Sequence, residues 1–287
     1  MVSAVDSSTS SDFTAGFLTP EDIKVFHSQG YVIKKSCLDA SQIHVLDQLT
    51  TRVIQKIADE VFSNIYPCSV AQQIIHIDGS QIIFKKPSAR EISILRVVGC
   101  GGIEPLLLET LRSHKMATTF FDLLECNQLE HLICQFHPKQ PNDGVKFVKH
   151  RDIQYRKAFD PEWKDILGNG SYAICILAID PMSPKNGGLY VDRKSYPKPS
   201  EEEDIVSLSM EPGDLLFMHP EILHWSEENQ SEISRRALLT GFCAWGANHK
   251  TYPGTAINVH LTRSEEVITE EEIVRDNQDT NGTIGNH

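Results

Sequence analysis

His150-Arg151-Asp152, near the middle of the chain, sets an imidazole and a carboxylate two positions apart. Side chains two apart on a β-strand project to the same side, so on a strand His150 and Asp152 reach one metal ion together, whereas a helix would separate them. Two imidazoles and one carboxylate bound to one face of a metal are the donor set of a ferrous site, which leaves three coordination positions open for chemistry. The second imidazole must come from elsewhere, and His219, His224, His249 and His260 are the downstream candidates. Separation along the chain does not choose among them.

The elements that must carry these residues fall into two halves. Thr19-Pro20-Glu21-Asp22 reads as an N-cap, a proline at the first helical position and acids in the first turn, with Gly30 as the stop. Across 40–62, Ile43, Leu46, Leu49, Val53, Ile54, Ile57 and Val61 recur at three- and four-residue steps, predicting an amphipathic helix. Helical patterns return at 104–112 and 115–125, so the first half is expected to be mostly helical, with strand candidates at 31–33, 81–84 and 92–98. After residue 130 the chain changes to short β-rich runs at 131–137, 145–150, 171–179, 188–191, 205–209, 214–218 and 235–245. Asn186-Gly187-Gly188 is a tight-turn signal between two of them. Many short strands separated by turns indicate a sandwich or jelly roll: a mainly β protein with helical additions, α+β in class.

At 287 residues, with 40% hydrophobic and 23% charged residues, the chain can bury a substantial core as one large domain. A formal charge of -12 opposes nucleic-acid phosphates and acidic membrane surfaces alike, so neither partner is expected. The sign reverses locally, with Lys146, Lys149, Arg151, Arg156 and Lys157 clustered around the His-x-Asp segment. These are either solvated faces or, if they face a pocket, the mark of an anionic small-molecule substrate. Cysteines 37, 68, 100, 126, 134, 175 and 243 form no CxxC pair, and Cys134, Cys175 and Cys243 lie in apolar runs. That pattern fits free thiols in a reducing compartment. With no signal-like start and no membrane-length apolar run, the expected location is the cytoplasm.

The segment Pro212-Gly213-Asp214-Leu215-Leu216-Phe217-Met218-His219-Pro220, then Leu223-His224-Trp225-Ser226, then Arg235-Arg236, resembles the phytanoyl-CoA dioxygenase family of iron(II)- and 2-oxoglutarate-dependent oxygenases. Pro141-Asn142-Asp143-Gly144 leading to His150, and Asn186-Gly187-Gly188-Leu189-Tyr190-Val191, follow the family's order and spacing. The resemblance covers about residues 131–245, with a weaker match over the helix at 19–30. It implies a double-stranded β-helix, a cupin-like jelly roll with the N-terminal helices packed on one sheet. The expected organisation is a segment over 1–16 read as disordered from its polar, Ser-rich composition, one oxygenase domain over 17–262 and an acidic tail over 263–287, whose Asn/Asp/Gly-rich end at 276–287 is read as disordered too. Within the domain, 17–130 is the helical part and 131–250 the jelly-roll core. The tail's segment 265–279 reads either as a final helix begun at Ser264 or as a solvated stretch.

Carried over position by position, the resemblance implies His150, Asp152 and His224 as iron ligands, with His219 as the competing imidazole. It implies Arg235 on the distal carboxylate of 2-oxoglutarate, Ser226 near the same end, and Arg236 on the opposite face of its strand. Arg96, a charge in the apolar run 92–98, either contacts 2-oxoglutarate as a basic residue does at the similar family position, or sits on an edge strand. Gln135, Phe147, Tyr155, Trp225 and Trp245 either line the pocket or belong to the core, and His137, His249 and His260 read as structural or exposed.

The cofactors implied are iron(II), 2-oxoglutarate and dioxygen, with ascorbate as an optional activator. The implied reaction couples decarboxylation of 2-oxoglutarate to succinate and carbon dioxide with oxidation of an unactivated C–H bond. Related radical halogenases carry glycine or alanine where this chain has Asp152, so hydroxylation, desaturation or ring closure is expected and halogenation is not. Two competing classes are a catalytically inactive jelly-roll binding protein and a non-haem iron dioxygenase that does not use 2-oxoglutarate.

Overall fold

The computed structural model describes residues 15–254, 257–264 and 267–273. The first helix forms where the N-cap signal predicts it: α1 spans Pro20–Gln29, the Thr19 hydroxyl accepts from the Asp22 amide, and Gly30 ends the helix at φ 80°. Helix α2 spans Ala40–Ser63 and buries Leu46, Leu49, Val53, Ile57 and Val61 along the predicted stripe. Two short helices, α3 (Pro105–Leu111) and α4 (His114–Leu124), complete the N-terminal helical layer.

The first half holds more strand than its sequence suggests. Strands β2 (Ser69–Ile77), β3 (Ser80–Ser88) and β4 (Glu91–Val98) form a meander between α2 and α3. β2 escapes sequence reading because it is an edge strand: most of its side chains are at least partly exposed, so Gln72, Gln73 and His76 interrupt any apolar alternation. The remaining strands of the large sheet are β1 (Tyr31–Lys34), β5 (Gln128–Lys139), β7 (Tyr172–Ala178), β10 (Leu215–Met218) and β12 (Arg235–Ala244). Their order is β1-β10-β7-β12-β5-β4-β3-β2, and the hairpin β13 (Val259–Arg263) and β14 (Ile268–Glu272) joins through β5. The second sheet has the order β6 (Phe147–His150), β11 (Leu223–Ser226), β8 (Leu189–Asp192), β9 (Ile205–Ser207). The pairing is antiparallel throughout, as a jelly roll requires.

The pleat of β12 shows how the layers stack. Arg236, Leu238, Thr240 and Phe242 face the helices: Arg236 pairs with Asp47 of α2, and the Phe242 ring lies 4.5 Å from that of Phe120 in α4. Arg235 and Leu239 face the opposite way, into a cavity whose far wall is the four-stranded sheet. Cys100, Cys134, Cys175 and Cys243 are buried, and all seven cysteines are free thiols.

Two expectations about the chain ends need correction or fall elsewhere. Of the two readings of 265–279, the helix begun at Ser264 is not what Ile268–Glu272 forms: this segment pairs with Val259–Arg263 as a largely exposed strand, because the β5 edge offers β13 a ladder partner and β14 extends it. The disorder expected for 1–16 and the polar end of the chain lies almost entirely outside the described residues. Among the described residues no helix is long and apolar enough to cross a membrane.

Candidate metal centre

His150 ends β6, but Asp152 is not on that strand. It is the first residue of α5 (Asp152–Phe159), so the two side chains converge at a strand-to-helix junction rather than along one strand face. Arg151 is the pivot: its Nη1 donates to the carbonyls of Ser195, at 3.0 Å, and Glu221, and the Ile153 amide donates to the Pro220 carbonyl at 3.0 Å. These bonds tie the start of α5 to the turn before β11. They also direct Arg151 away from the cavity, and Asp152 gains the favourable field of a helix N-terminus.

The second imidazole is chosen by sheet register. β6 and β11 pair with His224 directly opposite His150, and the two rings lie 4.2 Å apart between centroids. His150 Nε2 is 3.5 Å and His224 Nε2 3.8 Å from Asp152 Oδ1. The three donor atoms lie within 4.8 Å of one another. Each imidazole is fixed from behind, Nδ1 of His150 on the Val148 carbonyl at 2.7 Å and Nδ1 of His224 on the Ile222 carbonyl at 3.1 Å. A carbonyl can only accept, so Nδ1 carries the proton and the Nε2 lone pair of each ring points at the carboxylate. Asp152 Oδ2 is buried with no hydrogen-bond partner. Two aimed lone pairs and an orphaned carboxylate oxygen are what a divalent cation satisfies, so these residues fit the iron that the donor set implies.

Electrostatics agree with that fit. Burial pushes His224 down to about 4, keeping it neutral. Burial also works against ionised Asp152, but the neighbouring imidazoles outweigh it and hold the carboxyl near 2. His150 is likewise opposed by burial, yet the adjacent Asp152 carboxylate favours its charged form and raises it.

His219 is not part of this group. Its Nε2 is 2.7 Å from the Asn169 carbonyl and its Nδ1 accepts from the Glu221 amide at 3.2 Å, so both nitrogens are engaged. His249 lies beside Asp160 and His260 stacks on Trp245, both away from the cavity.

Arg235 enters from β12, 3% exposed, with Nη2 donating to the Gly187 carbonyl at 2.8 Å and Nε buried without a partner. Arg236 points to the opposite face, as the pleat requires, and is held by Asp180 and Asp47 at 2.7 and 2.6 Å. Arg96 lines the cavity from β4, which lies between β3 and β5, so the edge-strand alternative is wrong. Gln135, Phe147, Tyr155 and Trp225 also line it, whereas Trp245 does not.

Sequence reasoning did not single out Lys139, and it left His137 as structural or exposed. Lys139, 1% exposed, sits opposite Arg235 in the β5–β12 ladder and donates to Ser226 Oγ at 2.8 Å and to the carbonyls of Gly187, at 3.3 Å, and Glu227. Burial and the adjacent Arg235 push it down to about 6. Its signal was available: a lysine in strand phase with Gln135 and His137. His137 faces the cavity rather than solvent, stacked on Phe147 at 5.0 Å. Of the five basic residues clustered near position 150, only Arg156 faces the cavity; Lys146, Lys149 and Lys157 are exposed, and Lys149 pairs with Glu203.

The family model for phytanoyl-CoA dioxygenase matches residues 26–237. A phytanoyl-CoA dioxygenase of Arabidopsis thaliana is 26% identical over 272 residues, covering 82% of this chain and 93% of that protein. Phytanoyl-CoA dioxygenase 1 of Oryza sativa subsp. japonica is 24% identical over 265 residues, covering 80% and 92%. Among solved structures, EctD from S. alaskensis with 2-oxoglutarate and 5-hydroxyectoine superposes with a TM-score of 0.62 at 15% identity, over 81% of this chain and 78% of that one. The non-heme alpha ketoglutarate dependent carbocyclase SnoK from nogalamycin biosynthesis superposes at 0.57 and 14%, over 83% and 88%. At those identities the structural likeness is one of fold.

Proposed function

The chain belongs to the phytanoyl-CoA dioxygenase family and is an iron(II)- and 2-oxoglutarate-dependent dioxygenase, and from that premise we propose that His150, Asp152 and His224 hold the iron while Arg235 and Ser226 bind the keto-acid. The observation that carries the assignment is the convergence of three donor atoms within 4.8 Å, both imidazoles locked by backbone carbonyls and one carboxylate oxygen left unsatisfied. Held by His150, Asp152 and His224, iron(II) with 2-oxoglutarate would supply the chemistry for dioxygen-dependent oxidation of an unactivated C–H bond, by hydroxylation, desaturation or ring closure, with release of succinate and carbon dioxide.

The chain's own residues bind, orient and exclude water. Arg235 is buried at one end of the cavity, where a planar guanidinium grips a carboxylate through two parallel charge-assisted bonds. Lys139 holds the Ser226 hydroxyl in place at the same end. Arg96 lies on the cavity wall as a further cation for an oxygen-rich ligand. The carbonyl-locked imidazoles keep the ligand set ready for metal without rearrangement.

The substrate is a small organic molecule, which the charge on the cavity wall favours as an anion; ascorbate would serve as an activator. Anaerobic addition of iron(II) and 2-oxoglutarate should give a visible charge-transfer band that is lost in Asp152→Ala and His224→Ala. An unchanged band in either variant would remove that residue from the ligand set. Absence of a band in the unaltered protein would overturn the reading.

A further inference from the structure

Arg156 lines the cavity from α5, one turn beyond Asp152, so both side chains leave the same face of the helix. It is 4% exposed, yet its Nε and Nη1 are buried without a hydrogen-bond partner, and none of the ion pairs among the described residues includes it. What holds it is aromatic: its guanidinium carbon stands 4.2 Å from the centre of the Tyr252 ring and 5.5 Å from that of Tyr172. Ring faces attract a cation but do not replace in-plane acceptors, so the donors remain available for a ligand.

Register fixes where along the cavity this happens. On β12, Arg235 stands beside Lys139, Gly241 beside Ile133 and Ile174, and Cys243 beside Tyr172. The six residue steps from Arg235 to Gly241 span roughly 20 Å at about 3.4 Å per residue. The Tyr172 hydroxyl lies against Gly241, 3.1 Å from where a β-carbon would stand, and Arg156 packs on that tyrosine. The two guanidiniums therefore occupy opposite ends of the cavity. Extended 2-oxoglutarate puts only about 5 Å between its carboxylate carbons, four C–C bonds of roughly 1.5 Å each, so one molecule cannot serve both ends.

Charge leads to the same place. Three arginines and one carboxylate line the cavity, and a divalent metal with a dianionic keto-acid adds no net charge, so an excess of positive charge remains. The wall between the two ends is apolar, formed by Ile133, Ile174, Ile176 and Leu239.

We propose that Arg156 anchors the substrate, a carboxylic acid with an apolar body, whose carboxylate takes the free guanidinium donors while its carbon chain lies along the aliphatic wall. This rests on the reading of the Arg235 end as the 2-oxoglutarate site. Gripped at one end beside Asp152, such a molecule presents a carbon some distance from its carboxylate to the metal centre.

The test uses the full chain loaded anaerobically with iron(II) and 2-oxoglutarate, titrated calorimetrically with two acids and their neutral amides: octanoate against octanamide, and 3-phenylpropionate against 3-phenylpropanamide. The acids should bind roughly ten- to a hundredfold tighter than their amides, the range of a hydrogen-bonded charged group. Arg156→Gln should erase that preference and Arg156→Lys should keep part of it, while 2-oxoglutarate titrations of both overlay the unaltered protein. If neither acid binds the unaltered protein more tightly than its amide, or if Arg156→Gln keeps the preference, the assignment is overturned. The charge-transfer band recorded first in the same samples separates the two readings. A missing band counts against the 2-oxoglutarate site, whereas a band without acid preference counts against Arg156 alone.

Discussion

Replacing Arg235 with methionine should weaken 2-oxoglutarate binding while leaving the ligand-free protein as stable as before, or more so. The guanidinium is almost fully buried, has one hydrogen bond, to Gly187, and carries an orphaned Nε. Burial pushes it down from the ordinary arginine range to about 10. A base whose folded pKa is depressed is bound less tightly by protons when folded than when unfolded. Stability at neutral pH is therefore reduced by its charge, here on the order of 3 kcal/mol. Methionine fills similar volume without the charge, and the Gly187 carbonyl keeps Lys139 Nζ as a donor at 3.3 Å. With 2-oxoglutarate present the sign reverses, because losing one partner of a buried charge pair costs about 2–3 kcal/mol, a roughly 30- to 150-fold weaker dissociation constant. Anaerobic titration of the charge-transfer band measures the affinity, and thermal unfolding without ligand measures the stability. If the Met variant unfolds earlier yet binds 2-oxoglutarate unchanged, Arg235 is a structural cation and the keto-acid site lies elsewhere.

Metal affinity should fall about tenfold per pH unit once pH drops below the raised His150 pKa, and more steeply as His224 protonates near 4, because each imidazole must shed a proton to bind; an affinity flat across that window by competitive chelator titration would exclude both rings. Lys139→Met should free the Ser226 hydroxyl and weaken 2-oxoglutarate binding by about 1–2 kcal/mol without changing metal affinity; equal loss of both in the two titrations would mark a general structural defect instead. Arg236→Leu should destabilise the fold by about 3 kcal/mol through the abandoned Asp180 and Asp47 carboxylates, with 2-oxoglutarate affinity unaltered in the folded fraction; a weakened keto-acid affinity would reverse the assignment of the two arginines.

The contrast between Arg235 and Arg236 shows why much of the site was legible in the sequence. Once one arginine of the pair is placed inward by its spacing from His224, the two-residue period of a strand sends the other to the helical layer, where Asp47 and Asp180 receive it. The long periodic helix α2 was legible for the same kind of reason: its stripe is one-dimensional information. The failures come from tertiary context. β11 is only four residues long, carries His224 and Ser226, and follows Pro220, so it has no apolar run to announce it; it is a strand because β6 and β8 flank it. Lys139 lies two residues beyond the β-rich run read at 131–137, and only the β5–β12 register brings it to Arg235 and Ser226. β14 is rich in glutamate and resembles a solvated tail, yet β13 gives it a ladder.

The misread junction at His150 and Asp152 carries the strongest structural lesson. A continuous strand would place both donors on one face but would send the following alternate residues along the same sheet. Breaking the strand at Arg151 and starting α5 keeps the donors together, since Asp152 Oδ1 still lies 3.5 Å from His150 Nε2. It then uses helical periodicity for what comes next: position 156, not 154, shares the face of Asp152. The helix thereby couples a metal ligand at its N-terminus to a buried guanidinium one turn, about 6 Å, further along. A strand-to-helix switch thus lets one short segment serve both the metal centre and the opposite end of the cavity from Arg235. Inserting one residue between Asp152 and Arg156 would rotate the guanidinium by about 100° around the helix while leaving the three donors in place. Such a variant should keep its charge-transfer band and lose its preference for acids over amides, and loss of both together would show that the two ends are not separable.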